Sequence, residues 1–568
     1  MNERRMKYII IGAVAGGAST AARLRRLDEH SEIIIFEKGA HISYANCGLP
    51  YYIGEVIKNR DKLFVQTAAS FNQRFNIDVR TLTEVTAIDA KAKTITAKNQ
   101  STGQVYQERY DKLVLSPGAE PIRPPLPGIG SAGIFTLRNV TDTDFIKNYI
   151  MQHQAKKAVI AGGGFIGIEM AENLREIGLD VTIVEMGRQI LAPLDLSIAT
   201  IVQQYIRSKG VELILNNSVA GFEQTGSGLK VLLKDETELN ADLVILSIGV
   251  RPDTKLATGA GLKIGDAKGI WVNEFLQTSE ADIYAVGDAV EFENPITHHA
   301  MVTYLAGPAN KQGRICAQNI VEGNVRKYKG SINTAIVKVF DMTVGVAGVA
   351  SKHLQAAQIK HLVSTTSANS HAGYYPGAQL MTIQLAFSPT QGCLLGAQIA
   401  GFEGVDKRLD ILASIIKQNG SIDELTEFEH AYAPPYSSAK DPVNMAGFVA
   451  ENILQNRLRV FCWDEFEKIG LNDTLIDVRT SEEYDNGKIG NAINIPVDEL
   501  RSRLNEIPTS GMIFIYCEAG QRGYLAQRIL RQSGFKKVFN LSGGYRLWKG
   551  CLSELDLLEN PTQHLQEI

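Results

Sequence analysis

Tyr8-Ile9-Ile10-Ile11-Gly12-Ala13-Val14-Ala15-Gly16-Gly17 is the stretch whose reading decides the fold. Tyr8 to Ile11 reads as a buried strand, and Ala18, Ala21, Ala22 and Leu24 read as an Ala-rich helix starting beyond it. Gly12 permits the tight turn between them and Gly17 permits close helix packing, while Val14 stands where a second glycine is usual. The helix start, with Ala15 and Gly16, offers free N–H groups and a positive dipole end to a pyrophosphate. A second apolar run, Ile33 to Phe36, ends at Glu37, placed where an acid about twenty residues on accepts from a ribose hydroxyl.

The arrangement recurs. Ala158 to Ala161 leads into Gly162, Gly164 and Gly167, then Val181 to Val184 ends at Glu185. Glu185 suits an unphosphorylated ribose and favours NADH, while Arg188 nearby leaves NADPH open. Leu113 to Leu115 and Leu243 to Leu246 are apolar strands stopped by turns carrying Gly118 and Gly249, and they read as crossovers between two nucleotide domains. Ile283 to Ala285 is a strand followed by Gly287-Asp288. Gly287 lets the backbone approach a ligand, and Asp288 can accept from a polyol such as a flavin ribityl chain; the alternative is a helix cap or turn acid. A helix start around Ala306 offers its dipole to an anionic reduced flavin.

The 568 residues and 62.2 kDa call for three or four domains, and 44% hydrophobic with 21% charged residues fit soluble globular ones. A net charge of -4 and a pI of about 6.3 give no reason to expect nucleic acid or anionic membrane, so small soluble ligands are the expected partners. Cys47, Cys316, Cys393, Cys462, Cys517 and Cys551 lack metal-ligand spacing and disulfide-scaffold density, so no metal and a reducing, cytoplasmic setting are expected. Arg4, Arg5 and Lys7 before the run ending in Ala13-Val14-Ala15 superficially resemble a signal peptide. Cleavage there would split the nucleotide loop, so secretion is not expected. No apolar stretch is long enough to span a bilayer.

Ser43-Tyr44-Ala45-Asn46-Cys47-Gly48 places one thiol just behind the first nucleotide unit, with Cys316 the next along the chain. A catalytic thiol without a neighbour must cycle through a sulfenic acid, a persulfide or a mixed disulfide with an external thiol. The alternative is an inert buried cysteine. Ser43 and Asn46 flank Cys47 and are candidates to hydrogen-bond a bound thiol.

Together these motifs resemble the pyridine nucleotide-disulfide oxidoreductases over roughly residues 1 to 455. The resemblance implies FAD at the first unit and again at the Gly-Asp strand, NAD(P)H at the second unit, and a homodimer. The implied division is FAD-binding 1–120, NAD(P)H-binding 121–248, FAD-binding 249–328 and a dimerisation domain at 329–455. The single cysteine resembles coenzyme A disulfide reductases and NADH-dependent persulfide reductases, and also NADH oxidases and peroxidases. The oxidases and peroxidases carry a histidine where this chain has Ala15, which argues for a sulfur substrate. The late His-Pro base of paired-cysteine relatives is also missing, since the region reads His430-Ala431-Tyr432-Ala433-Pro434-Pro435-Tyr436. Tyr374, Tyr375 and Tyr432 resemble segments of the coenzyme A disulfide reductases. A phenol there can donate to a departing thiolate, supplied in the family by the partner subunit, with interface packing as the alternative. Tyr436 is a candidate substrate contact, and the resemblance places Arg23 and Arg26 at coenzyme A phosphates, against solvated helix charges.

Residues 460–555 begin a new α/β rhythm. Leu475 to Arg479 and Ile513 to Cys517 read as strands, the second delivering Cys517 into Glu518-Ala519-Gly520-Gln521-Arg522, with a helix from about Gly523 to Gln532. Several backbone N–H groups and Arg522 are expected to stabilise a thiolate or persulfide at Cys517. Asp477-Val478-Arg479, Glu483-Tyr484, the Cys517 to Arg522 loop and Gly543-Gly544 with Trp548 resemble rhodanese domains. Related phosphatase loops are one residue longer, so sulfurtransfer is favoured. The expected architecture is α/β: two Rossmann-like FAD/NAD(P)-binding domains, an α+β dimerisation domain and a C-terminal α/β rhodanese domain. The expected activity is NAD(P)H-dependent reduction of coenzyme A disulfide, coenzyme A persulfide or polysulfide, coupled to sulfurtransfer. The alternatives are an oxidase or peroxidase working through a sulfenic acid, and a sulfur-carrier or redox-sensing protein.

Overall fold

The run Lys7–Ile11 becomes the middle strand of a parallel sheet because both its faces are covered, which is why it reads as continuous aliphatic residues. It pairs with Glu32–Phe36 on one side, Ile9 opposite Ile34, and with Lys112–Leu115 on the other, Ile9 opposite Leu113. Asp78–Arg80 and Ile283–Ala285 complete the five strands at the two edges. The side chains of Ile9, Ile10, Ile34, Ile35, Leu113 and Val114 are fully buried. The structure, a computed structural model, describes residues 5–559 except Ser227, so Arg4 of the basic amino-terminal segment lies outside it.

This sheet belongs to the first of two compact units, formed by residues up to 184 together with 217–333. Across it lie the helices Ala15–Leu27 and Ala306–Glu322, packed on each other. A Cβ at Gly313 would come within 2.6 Å of the Gly16 oxygen, so a glycine is required at that crossing. The second glycine motif sits in a matching parallel arrangement: Lys157–Ala161 lies between Asp180–Val184 and Leu243–Leu246, with Ile134–Thr136 beyond. The crossovers expected after Leu115 and Leu246 form a short antiparallel ribbon, Ala119–Pro121 against Val250–Pro252.

Among the described residues the second unit comprises 185–216 and 334–559. Its antiparallel sheet runs in the order Ala335–Val339, Met342–Gly348, Leu394–Gly401, Leu380–Phe387, Leu362–Asn369. Helices Val405–Lys417 and Pro442–Leu454 pack on it. Residues 460–559 carry a parallel sheet in the order Val460–Phe461, Val538–Leu541, Ile513–Tyr516, Thr474–Asp477, Ile493–Asn494. The terminal helix Gly544–Glu559 packs on Leu196–Ser208, where buried Glu554 accepts from Gln203 at 2.6 Å and pairs with Arg207 at 2.5 Å.

Candidate active sites

Gly12 adopts φ +96°, and a Cβ there would lie 2.1 Å from the Ser116 oxygen; a Cβ on Gly17 would lie 1.9 Å from the Gly12 oxygen. The turn therefore folds only with glycine at both positions, and Val14 at the usual second position precedes the first helical turn without capping it by a side chain. The uncapped N–H groups of that turn face a cavity of about 700 Å³, within the range of small-molecule and cofactor sites. Gly12, Val14, Ala15, Gly16, Glu37, Gly118 and Asp288 line it, together with Asn46 and Arg138. Glu37 accepts from the Ala13 N–H at 2.9 Å and the Gly39 N–H at 2.8 Å, which fixes its carboxylate in the wall. Burial pushes the Asp288 carboxyl up, opposed by Arg138. The Asn46 Oδ1 is buried without a hydrogen-bond partner. A wall with an uncapped helix start, a fixed carboxylate and an unmet amide oxygen fits a phosphorylated polyol such as a flavin dinucleotide.

Several expected contacts stand differently. Gly17 packs on Gly12 and does not line the cavity, whereas Gly287, at φ +86°, donates its N–H to Gln312 at 2.7 Å and lines it as expected. Ala306 opens its helix, but the residue of that helix in the wall is Ala309. Arg138, unremarked in the sequence, holds the turn by donating to the Ala119 oxygen at 2.6 Å.

At the second motif, Gly162 at φ +106° would place a Cβ 2.4 Å from the Ser247 oxygen, and Gly167 packs on the Gly162 oxygen. A Cβ on Gly164 would meet nothing within 4 Å, so this face is open to a ligand. Glu185 accepts from the Gly187 N–H at 2.7 Å, the same local bond that Glu37 makes with Gly39. Gly249, at φ +111°, accepts from the Ile122 N–H at 3.0 Å and so joins the ribbon.

Cys47 lies in the short turn Asn46–Gly48, one residue past the cavity wall, and its side chain is exposed at the surface. Partial desolvation by surrounding protein, then the Glu169 and Asp288 carboxylates, push its thiol above the usual value. Sequence reading missed Glu169, which sits two residues past Gly167 on the helix Phe165–Glu176. Burial raises its carboxyl to about 7, and it accepts from the Tyr51 hydroxyl at 3.4 Å. Ser43 adopts φ +45° and ties the loop down, donating its N–H to the Ala13 oxygen at 2.8 Å, but it does not line the cavity. On the first helix, Arg26 is exposed and Arg23 is half-buried with its Nε unpartnered. Arg25 between them is structural, donating to the Phe75, Asp28, Glu29 and Asn76 carbonyls.

In the second unit the Tyr374 and Tyr432 hydroxyls meet at 3.0 Å. Tyr374, Tyr375, Tyr432 and Tyr436 expose 77%, 43%, 49% and 69% of their surface, leaving them open to a second chain. Their segments are anchored by buried Arg408, which donates to the Ser370 carbonyl at 2.7 Å and to Asp441 at 2.7 Å. His430 lies 3.8 Å from Asp441 with its Nε2 buried and unpartnered, and burial lowers its pKa.

Cys517 follows the strand Ile513–Tyr516 and is buried, with the Gly520 N–H donating to its Sγ at 3.1 Å. The helix behind it begins at Gln521, two residues earlier than expected, because Gly520 at φ +107° turns the chain. Arg522, expected to stabilise a thiolate at Cys517, interacts electrostatically with that cysteine and is also paired. Its Nη1 and Nη2 donate to Glu483 at 2.6 and 2.7 Å.

Two glycine-turn nucleotide folds with an exposed solitary thiol, and a parallel C-terminal domain presenting a second thiol at a helix start, define a dinucleotide-dependent oxidoreductase carrying a sulfur-handling domain. The chain belongs to the pyridine nucleotide-disulphide oxidoreductase family, which it matches over residues 6–307. Residues 334–442 match that family's dimerisation domain and 463–551 the rhodanese-like domain. Membership implies FAD and NAD(P)H as cofactors. The coenzyme A disulfide reductase of Staphylococcus haemolyticus is 36% identical over 452 residues, covering 79% of this chain and 100% of that protein. Among solved structures, a reduced CoADR-RHD from Bacillus anthracis is 47% identical with a TM-score of 0.95, covering 98% of this chain and 99% of that one. A NAD-dependent persulfide reductase from A. fulgidus is 36% identical with a TM-score of 0.89, covering 96% and 100%. Among the described residues no helix is long and apolar enough to cross a membrane.

Proposed function

We propose that this chain is an NAD(P)H-dependent flavoprotein that reduces coenzyme A disulfide, coenzyme A persulfide or polysulfide through Cys47, and that Cys517 carries sulfane sulfur. The observation that carries this reading is a single exposed cysteine one residue beyond a dinucleotide-sized cavity. Bound FAD would relay an electron pair from NADH to sulfur. Gly12, Ala15, Gly16, Glu37, Gly118 and Asp288 would hold it, with Gly17, Gly287 and the helix from Ala306 shaping the seat. Gly162, Gly164, Gly167, Glu185 and Gly249 would frame the nicotinamide dinucleotide.

The Cys47 thiolate attacks one sulfur of the substrate, whose S–S bond breaks as the first thiolate or hydrosulfide leaves; the electron pair from NADH then breaks the new Cys47–S bond, restoring the Cys47 thiolate and releasing the captured half. For a disulfide, NADH and one proton are consumed and two thiols leave; for coenzyme A persulfide, one thiol and hydrosulfide leave. Asn46 and Ser43 would position the pantetheine arm, and Arg23 and Arg26 the coenzyme A phosphates. In a homodimer, Tyr374, Tyr375 and Tyr432 of the second copy would donate to the departing thiolate, with Tyr436 beside them; their exposure supports this. The oxidase reading is disfavoured because Ala15 presents only a methyl group to the cavity at the position where the oxidases and peroxidases carry a histidine.

Cys47→Ser should abolish NADH-dependent reduction of all three sulfur substrates, measured as NADH oxidation in parallel with thiol and hydrosulfide release. Retention of most of the activity would remove Cys47 from the mechanism. Cys517→Ser should spare reduction of coenzyme A disulfide while losing sulfurtransfer.

A further inference from the structure

The loop from Cys517 to Arg522 is electrostatically closed. Arg522 is held through both terminal nitrogens by Glu483, and Glu483 is itself fixed by the Thr480 N–H at 2.9 Å. Glu518, next to the cysteine, accepts from Arg546 Nε at 3.2 Å and lies 3.5 Å from Arg479. Arg479 is in turn forked onto buried Asp477, at 3.1 and 2.7 Å. Three guanidinium groups, on Arg522, Arg546 and Arg479, are thus paired with the carboxylates of Glu483, Glu518 and Asp477. The Arg522 pair lowers the Glu483 carboxyl to about 2, so the match persists throughout the neutral range. The hydrogen bond to the Cys517 sulfur comes from the Gly520 N–H, at the start of a 12-residue helix, and the Arg522 charge that also acts on that sulfur is shared with Glu483.

We infer that Glu483 and Glu518 set the donor specificity of Cys517, admitting the singly charged end of an organic persulfide or polysulfide and disfavouring the doubly charged thiosulfate. Thiosulfate presents two charges next to its sulfane sulfur and leaves as sulfite, so it needs an unmatched cation at the loop. A persulfide end needs only to have one charge met, which the Gly520 N–H and helix start supply. The side chain of Cys517 is 1% exposed, which also favours a slim sulfur chain. In the transfer, the Cys517 thiolate attacks the terminal sulfur of R–S–S⁻. The donor S–S bond breaks with its electron pair going to R–S⁻, and Cys517–S–S⁻ forms without net oxidation.

This inference rests on Cys517 being a sulfur carrier. The test uses the full-length protein, with thiosulfate and glutathione persulfide as donors at matched concentration. The rate of persulfide loading on the Cys517 peptide is read by mass spectrometry. The parent should load from glutathione persulfide at least about tenfold faster than from thiosulfate, the order of a charge-assisted hydrogen bond. Glu483→Gln should raise the thiosulfate rate by about that factor, with the gain lost at high salt. Because Glu483 also braces Thr480, Glu518→Gln provides a second arm that leaves that contact intact. Equal loading of the parent from both donors, or an unchanged donor ratio in both variants, overturns the specificity inference while leaving Cys517 a carrier. Absence of loading from either donor overturns the carrier reading and this inference with it.

Discussion

Glu169→Gln tests what the carboxyl beside Tyr51 does to its surroundings. Burial raises it from 4.5 to about 7, with the Glu172 charge adding to the effect and the Tyr51 hydrogen bond opposing it. The folded-state value is the higher one, so between pH 4.5 and about 7 the native protein keeps a proton that the unfolded chain has released. Stability therefore falls as pH rises through that window and stays lowered above it. At 1.36 kcal/mol per pH unit the interval amounts to at most about 3 kcal/mol. Glutamine preserves the shape and still accepts from Tyr51, but has no charge to bury. At pH 8 the variant should be the more stable by up to about 3 kcal/mol, a rise of roughly 5 °C in the melting midpoint for a unit of this size. At pH 5 most of that gain should be gone. Calorimetry of the apoprotein at the two pH values reads this directly. A second readout follows from the Cys47 thiol, which the Glu169 charge helps to push up. Alkylation of Cys47 by iodoacetamide at pH 7.5 should be faster in the variant. A stability difference that ignores pH, together with unchanged alkylation, would refute the reasoning.

Two further substitutions probe the frame around the sites. Asp441→Ala strands the Arg408 charge, 1% exposed, and should cost about 3–5 kcal/mol in thermal unfolding; Arg408→Met in the same background should recover much of it. Because Arg408 also holds the Ser370 carbonyl, the single variant should lower disulfide turnover through the displaced tyrosines. Gly17→Ala forces a Cβ to within 1.9 Å of the Gly12 oxygen and should open the turn. At the roughly 1–3 kcal/mol typical of overpacking, flavin affinity should drop by about tenfold or more, read by flavin titration followed by fluorescence.

The nucleotide folds were legible because their strands are buried on both faces and their turns demand glycine, so Ile9 to Ile11 and Gly12 announce themselves locally. Glu37 was legible for the same reason, sitting at a fixed distance from the loop. Ile134–Thr136 was not, since three residues carry no period and their strand exists only through pairing with Val244 to Leu246. Nor could sequence reveal that Tyr51 meets Glu169, 118 residues away, or that Glu483 captures Arg522 across 39 residues. Such contacts are made by tertiary packing of polar side chains with no repeat of their own. Arg23 and Arg26 stood out as helix charges, and nothing in the sequence separates them from Arg25, which the Phe75 and Asn76 carbonyls hold in a structural role.

The most direct test of the solitary-thiol account is the peptide-resolved mass of Cys47 after the protein has been exposed to coenzyme A disulfide and then to NADH. The account predicts a coenzyme A adduct on Cys47 in the first spectrum and a free thiol in the second, with the flavin present throughout. An unmodified Cys47 in the first spectrum, alongside undiminished disulfide reduction, would contradict it.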